Sequence, residues 1–534
     1  MKRLTALFLI LTLALSLAAC GGSSGGGSAA GASPAGDSGN GGNSGNSVAT
    51  TGTPAALSGE IGGEITVSAF ESLTQRPFLE EAARLFEEKY PGTKVNIETF
   101  SDMPEIKTAE QGDMRMQAVQ MDEDPSARGD YISRVNTALM SGTGADILAA
   151  DILPMYQFAE SGQLTDLGAL MEADPDFKLS DYRTNILEAL RYQGGLWYLP
   201  LDYAFDYFTY DSSLIRDSDV DFGTGSAWSS TELLDLAAPL FDGSAKIFNQ
   251  SGYSRAGGST MGMTSGVFAR LLKEQYSSLI DLANRQAYFT NGLFAQMLES
   301  VKAYERLGYI SESVTAQMDA GSMMRGGGPS QPTERFFFKP KNNFSLQQEF
   351  TRDLAHRTNV MMTAGGGSVQ GIEDDDVIAG IEADAKGQAP FTFQYGYAMN
   401  SAGKNQQTAW AFLKFLLSEE MQLSTNLNML SLPLHNEARA QKAELAMTGA
   451  FGGPGAGNGG TPGVMELDDA QREALRRCVE ATEQLSDRID TYTIRDNTID
   501  AMIQAEVQYF FDGIKSADEV AAALQNKVEL YLNE

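Results

Sequence analysis

Cysteine and histidine are almost absent from this chain of 534 residues: Cys20 and Cys478 are its only cysteines, His356 and His435 its only histidines. Two cysteines cannot build a disulfide framework or a cysteine-rich zinc site, and two histidines leave little for metal ligation or general-base chemistry. Positive charge is scarce as well, with 39 Lys and Arg against 70 Asp and Glu and a formal net charge of −31. A field of that sign repels nucleic acid before any local patch can act, so no nucleic-acid partner is expected. What remains is the make-up of a soluble globular protein, 42% hydrophobic and 20% charged, long enough for two or more cores.

Long apolar runs are missing too, except at the start. Lys2 and Arg3 precede an uncharged stretch from Leu4 to Leu17, which ends Leu17-Ala18-Ala19-Cys20-Gly21. The run is short for a membrane-spanning helix and lies behind a positive end, so residues 1–19 read as a signal peptide. The small residues directly before Cys20 resemble the lipobox of bacterial lipoproteins, in which the cysteine sulfur receives a diacylglycerol and becomes the new N-terminus. From Gly21 to about Gly59 the chain is Gly, Ser, Ala, Asn and Thr, with Asp37 its one charged residue. Such a composition buries too little to offset its ordering entropy, which makes 20–59 a flexible lipidated tether.

Past the tether, periodicity indicates an α/β body. Glu64 to Phe70 alternates like a strand, Pro77 to Tyr90 carries Phe78, Ala82, Leu85, Phe86 and Tyr90 at helical spacing, Pro91-Gly92 stops it, and Lys94 to Glu98 alternates again. Strand, helix, strand in so short a stretch is the βαβ unit of a parallel sheet. Tyr131 to Met140 reads as a helix and Asp146 to Ala150 as a short buried strand. Thr408 to about Leu427 reads as one helix packed through Trp410, Leu413, Leu416 and Leu417. Ser229-x-x-Glu232 and Ser516-x-x-Glu519 are capping-box patterns opening apolar runs. Segments 320–333 and 447–463 read as Gly- and Pro-rich surface loops.

The order of several segments resembles the family 1 extracellular solute-binding proteins, receptors of ATP-binding-cassette importers. They are Pro77 to Phe100 with its Phe-Glu-Glu-Lys-Tyr-Pro-Gly turn, Leu139 to Leu148, Gly162 to Leu167, Gly194 to Pro200, Phe208 to Asp211, Tyr397 to Asn405 with Ala409 to Ser418, and Tyr509 to Glu534. Residues 101–128 and 311–358, the latter with Arg335-Phe336-Phe337-Phe338-Lys339, look like insertions relative to shorter members. Val377 to Glu382 stands where a proline-rich strand is common.

The resemblance implies a two-lobed fold with crossing strands and an interlobe ligand cleft: residues 60–204 and 394–434 in lobe 1, 205–393 and 435–534 in lobe 2. It implies no catalytic residue and no cofactor, a small solute, most often a carbohydrate, as ligand, and an importer permease as partner. A monomer held to the outer face of the cell membrane by lipid on Cys20 follows. Open parallel sheets bind ligands at the carboxyl ends of their strands. That rule selects Phe70, Glu71 and Ser72 after the first strand, Asp151 after another, Asp202, Tyr203 and Phe205 at the first crossing, and Gln394 and Tyr395 at the return. The run Asp202-Tyr203-Ala204-Phe205-Asp206-Tyr207 offers flat apolar faces and planar carboxylates, both useful to a saccharide, although alternate aromatics are equally expected in a core.

Other signals are weaker. Asp217-x-Asp219-x-Asp221 starts like a calcium loop but has Phe222 and Trp228 where Gly and Glu belong. Asp374-Asp375-Asp376 reads as a solvated charge run, Gly365 to Ser368 and Gly452 to Gly463 as turns without a phosphate-loop or nucleotide signature, Cys478 as a half-buried apolar side chain and His435 as a turn residue. Two alternatives stay open on the residues alone: a surface glycan hydrolase using two carboxylates, and a binding lipoprotein feeding a membrane sensor.

Overall fold

The computed structural model describes residues 57, 59–70, 75–100, 106–111, 114–119, 127–150, 152–215, 220–248, 266–310, 335–342, 376–424, 431–447 and 469–533. Ile65, Val67 and Ala69 are fully buried along one face of β1 (Gly63–Ala69), the alternation expected there. The helix Gln75–Lys89 buries Phe78, Leu79, Ala82 and Phe86. Its exit turn needs Gly92 at φ +94, a conformation glycine adopts without a Cβ clash. β2 (Thr93–Thr99) then runs parallel to β1 in unbroken register from Gly63↔Thr93 to Ala69↔Thr99. Next come the hairpin β3 (Ile106–Gln111) and β4 (Met114–Val119), the helix Ala127–Met140, and β5 (Ile147–Ala149), parallel to β1. The remaining strands are β6 (Tyr198–Pro200), β7 (Asp202–Asp211), β8 (Ala227–Trp228), β9 (Lys246–Phe248), the pair β10 (Ile280–Asp281) and β11 (Gln286–Ala287), β12 (Phe336–Asn342), β13 (Asp376–Glu382), β14 (Phe391–Thr392), β15 (Gly396–Met399) and β16 (Leu432–Pro433).

Two sheets result. The first has the order β2-β1-β5-β15-β6, with β15 antiparallel to both its neighbours. The second has the order β8-β13-β7-β12-β9, with β7 antiparallel to β12 and β13. β7 belongs to both halves of the molecule. Asp206 to Asp211 pair in the second sheet, whereas Asp202 and Tyr203 pair with Pro433 and Leu432 of β16, and Ala204 and Phe205 with Thr392 and Phe391 of β14. A single extended strand thus leaves one lobe and enters the other.

Each sheet has its own core. Phe86, Trp410 and Phe412 belong to the first, with Phe86 edge-on to Phe412 at 5.2 Å, and Phe208, Phe248, Phe338 and Phe510 belong to the second. The C-terminal stretch is divided between them. Cys478, Leu485 and Ile489 join the first core, while the helices Asn497–Phe511 and Ala517–Asn533 pack in the second. Between them the chain passes along β14, where Thr491 bridges to Pro390 and the Ala389 N–H donates to Asp490 Oδ1 at 2.8 Å. Residues 435–534, grouped with lobe 2 from the sequence, therefore contribute to both lobes.

Local readings fare differently. Both capping boxes are formed: the Glu232 N–H donates to Ser229 Oγ and the Ser229 N–H to Glu232, and Ser516 and Glu519 make the same exchange. The helix expected from Thr408 to Leu427 ends at Leu416, because Ser418 turns extended and caps a new short helix, Glu419–Gln422. Phe336, Phe337 and Phe338, read within an insertion, sit in β12 between β7 and β9, all three buried. Gly380 bulges β13 at φ +150, where a Cβ would lie 2.5 Å from the Ser226 carbonyl oxygen. Cys478 is buried rather than half-buried. His435 accepts the Ala438 N–H at the start of the helix Asn436–Met447. Residues 217, 219, 320–333, 356, 365–368, 374–375 and 452–463 lie outside the described residues. Among the described residues no helix is long and apolar enough to cross a membrane.

Candidate functional site: the hinge and the crevice between the lobes

The hinge is built on two aspartates of β7. Asp202 is buried; its Oδ1 accepts the backbone N–H of Gln394 at 3.1 Å and of Tyr395 at 2.8 Å, and its Oδ2 accepts the Ser431 hydroxyl. One carboxylate thereby ties the outgoing strand to the returning chain and to the segment entering β16. Burial pushes its pKa up to about 6, against the pull of those hydrogen bonds and of the Lys442 ammonium. The same burial brings Lys442, on the helix Asn436–Met447, down to about 8.

Further along β7, Asp206 accepts from Lys273 Nζ at 2.5 Å, and Lys273 lies 3.1 Å from Glu382 at the end of β13. Lys273 therefore locks β7 to β13 on the second-lobe side. Burial raises the Glu382 carboxyl and Lys273 opposes that rise. Between the two clamps lie Tyr203 to Phe205, of which Phe205 pairs with Phe391 of β14.

A crevice lies between residues of the two lobes. The first lobe lines it with Ile132 and with Ile152, Leu153 and Pro154 after β5, and the second lobe with Arg495 to Thr498 and Tyr531. Asp496 organises it. As N-cap of the helix Asn497–Phe511, its Oδ1 accepts the N–H groups of Thr498 at 2.8 Å and Ile499 at 3.2 Å. Its Oδ2 accepts the hydroxyls of Tyr531, from the same lobe, at 3.0 Å and of Tyr156, from the other, at 2.9 Å. Tyr156 sits on the first-lobe helix Met155–Glu160, yet it packs in the second core. Burial and the Asp496 charge hold its phenol far above the usual range.

At the other end of that helix Glu160 accepts from Tyr192 at 2.5 Å and Gln193 at 3.2 Å, and lies 3.6 Å from Arg285 of the second lobe. Gln193 (φ +49) and Arg285 (φ +54) are the non-glycine residues with positive φ among the described residues, and both address Glu160. Asn497 reaches the Ile152 carbonyl at 3.4 Å, and Arg495 pairs with Asp500 at 3.0 Å while lying 5.0 Å from the Tyr276 ring centre. The space left in the crevice is ≈ 10 Å³, room for about one water.

The expected ligand residues fall into three groups. Glu71, Ser72 and Asp151 lie outside the described residues. Phe70 is buried beneath Phe100 and Tyr131, with ring centres 6.2 and 5.6 Å away. Asp202, Tyr203, Phe205 and Tyr395 are all buried in the hinge, where Tyr203 donates to Ser486 Oγ at 3.2 Å and Tyr395 faces the Phe78 ring at 6.3 Å. Gln394 is partly exposed and donates to the Tyr395 hydroxyl at 3.3 Å. Of the sequence-selected positions, Asp151 alone adjoins a crevice-lining residue in the chain, Ile152. Arg495, Asp496, Asn497 and Tyr531 were not singled out from the sequence. An available signal was the N-cap pattern of Asp496 before the apolar positions Ile499 and Ile503.

Residues 124–423, more than half the chain, match the profile of the bacterial extracellular solute-binding proteins. The chain belongs to that family. Among solved structures, a family 1 extracellular solute-binding protein from Alicyclobacillus acidocaldarius is similar over 89% of this chain and 100% of its own, at 14% identity and a TM-score of 0.51. A substrate-binding protein of Listeria monocytogenes in complex with cycloalternan covers 88% and 99% at 15% identity, TM-score 0.46. A cyclic alpha-maltosyl-1,6-maltose binding protein from Arthrobacter globiformis covers 88% and 99% at 13% identity, TM-score 0.46. No curated protein matches the sequence. At these identities the likeness concerns the fold, and membership rests on the profile. Members of this family bind solutes outside the cytoplasm, and the hinge and crevice of this solute-binding protein are the parts such a task requires.

Proposed function

We propose that this protein captures a small neutral solute, most readily a carbohydrate, in the crevice between the lobes and delivers it to an ATP-binding-cassette importer while anchored by lipid on Cys20. The observation that carries this reading is the crevice itself: its two walls come from different lobes, and the lobes are joined by strands clamped on both sides of Tyr203 to Phe205. A ligand touching both walls stabilises the closed arrangement over the open one, and that difference in affinity is what a transporter can read. Opening widens a space that now holds about one water.

We assign ligand contact to Asp151, Glu71 and Ser72 from the first lobe and to Arg495 and Asn497 from the second. Asp202, Tyr203, Phe205 and Tyr395 serve as hinge pins. Support for a carbohydrate comes from the aromatic residues on the crossing segments. Phe393 and Tyr492, both partly exposed, stack at 5.6 Å, and Tyr492 continues to Phe391 at 5.2 Å, with Arg495 and Asn497 following in the same segment of chain. Flat rings for C–H faces next to planar hydrogen-bonding groups are what a pyranose needs.

Calorimetry and thermal shift with a panel of mono- and oligosaccharides, amino acids and polyamines test the reading. A saccharide is expected to bind and raise the melting temperature by mass action, by about 2.7 kcal/mol of stability at a hundredfold excess over Kd. No shift with any member of the panel would overturn it. The anchor is tested separately. Cys20→Ala is expected to abolish incorporation of labelled palmitate and to release the protein from the membrane fraction, and labelling retained in that variant rejects lipidation at Cys20.

A further inference from the structure

We propose that the first lobe holds a second small-molecule site, apart from the crevice, for one neutral hydroxylated ring the size of a hexose. It goes beyond the interlobe reading and does not depend on closure. The strand pattern explains why a space exists there. β1 turns Ile65, Val67 and Ala69 to one side, while Thr66 and Ser68 on its other face are only partly covered. The helix Ala127–Met140 crosses that face, burying Tyr131, Val135 and Leu139. Beside it, small side chains such as Ala138 and Ala145 leave a cavity of ≈ 340 Å³ unfilled. That lies at the low end of the range for small-molecule pockets, about 300–1,000 Å³, and far above what the crevice offers.

The lining has a definite chemistry. Phe100 forms an aromatic wall with Tyr131 at 5.5 Å, and Arg134 lies 5.9 Å from the Phe100 ring centre, so its planar cation is parked on the ring edge of the pocket. At the base the Ser68 and Tyr131 hydroxyls share a hydrogen bond of 3.2 Å. The mouth carries the Glu98 carboxylate and the Thr143 hydroxyl, both exposed. One carboxylate and one guanidinium give no net charge, so an ionic ligand would leave one of them or itself uncompensated, whereas hydroxyls satisfy acceptor and donor alike. The rings suit a C–H face. A polyhydroxylated single ring meets all of these demands at once.

Saturation-transfer NMR on the full chain with D-glucose tests the site, with glucosamine and glucuronate as charged counterparts. For a ligand of this size, affinity on the order of 1 mM is expected. Ala138→Phe, which fills the cavity from the helix, should cut the glucose signal about tenfold, an effect matched by loss of the aromatic wall in Phe100→Ala. Gln296→Ala, exposed on a helix of the second lobe and outside both the cavity and the crevice, should leave it unchanged. Circular dichroism melts identify variants that fail to fold, and Ser68→Ala, which removes a base hydroxyl without adding bulk to the cavity, then replaces them. Absence of transfer at about 50 mM glucose, signal that survives the filling variants, or equal binding of the charged sugars would each overturn the proposal. Loss of signal in Gln296→Ala would also overturn it, because a change outside the cavity would then remove binding. The interlobe reading fails on a different result, the silence of the solute panel with Ala138→Phe, in which the second site is filled.

Discussion

Asp202→Ala is expected to lower the unfolding free energy of this solute-binding protein by about 3–5 kcal/mol, and Asp202→Asn by a small fraction of that. The alanine removes the acceptor from three donors at once, the Gln394 and Tyr395 N–H groups and the Ser431 hydroxyl, at a site nearly closed to water. A buried donor stripped of its acceptor costs about 1–3 kcal/mol. It also removes the charge that supports the Lys442 ammonium. The asparagine keeps one oxygen for the two backbone donors, and its amide can donate to Ser431.

The pair also separates by pH. The Asp202 pKa is raised to about 6 in the folded chain, from 3.8. The folded state therefore holds that proton more tightly than the unfolded state. Its contribution to stability is fully present below about pH 3.8 and is lost as pH rises through about 6, an effect on the order of 3 kcal/mol. Lys442, lowered to about 8 from 10.5, behaves in the opposite sense, with its contribution present above 10.5 and lost as pH falls through 8, outside the acid window. Denaturant melts at pH 4, 5 and 6 should show wild type losing ground to Asp202→Asn across that interval. Parallel curves for all three proteins would sink the hinge assignment.

The fold and the site differ in how legible they are in the sequence. The fold was legible because its carriers are local. The alternation of Ile65, Val67 and Ala69, the helical spacing of Phe78, Ala82 and Phe86, and the two Ser-x-x-Glu caps each specify an element without reference to distant residues. The site was not local. By their position at the first crossing Asp202, Tyr203 and Phe205 are candidates for ligand contact, and their acids and aromatics suit a saccharide as well as a core. In the folded chain they meet β14, β16 and residues 394–395, and these partners, remote in sequence, turn the acid into a clamp. No spacing rule distinguishes an aspartate that faces a ligand from one that faces two backbone N–H groups. The crevice wall at Arg495 to Thr498 was missed for a related reason. Its importance comes from the chain passing beside β14 between the two cores, and nothing in Arg-Asp-Asn-Thr announces a crossing. The Phe336 to Phe338 run looks like part of an insertion relative to shorter relatives, and its three consecutive buried aromatics are explained by a strand covered on both faces.

Tyr156→Phe is expected to loosen the apposition of the lobes without unfolding either of them, an effect that Tyr531→Phe does not share. Both phenols donate to the same oxygen of Asp496, at 2.9 and 3.0 Å, and both variants lose one hydrogen bond to a carboxylate, worth about 1.5–3 kcal/mol. The difference lies in what the bond connects. Tyr531 and Asp496 belong to one lobe, so that loss falls on the stability of the lobe. Tyr156 reaches across from the first-lobe helix Met155–Glu160, so its loss falls on the equilibrium between apposed and separated lobes, by about tenfold or more. The ring stays in the second core in either case, since phenylalanine keeps its apolar volume. Asp496→Ala combines both losses with that of the helix cap, for an expected 3–5 kcal/mol in lobe stability and a wider mean separation. The salt bridge from Glu160 to Arg285, longer at 3.6 Å and with Arg285 exposed, should contribute little. Electron-paramagnetic-resonance distances between labels on Ser133 and Gln296 provide the measurement: Tyr156→Phe and Asp496→Ala should populate longer distances, while Tyr531→Phe and Glu160→Gln should keep the wild-type distribution. Identical distributions for Tyr156→Phe and wild type would show that the hinge clamps alone set the geometry and that the tyrosine across the crevice is a passive contact.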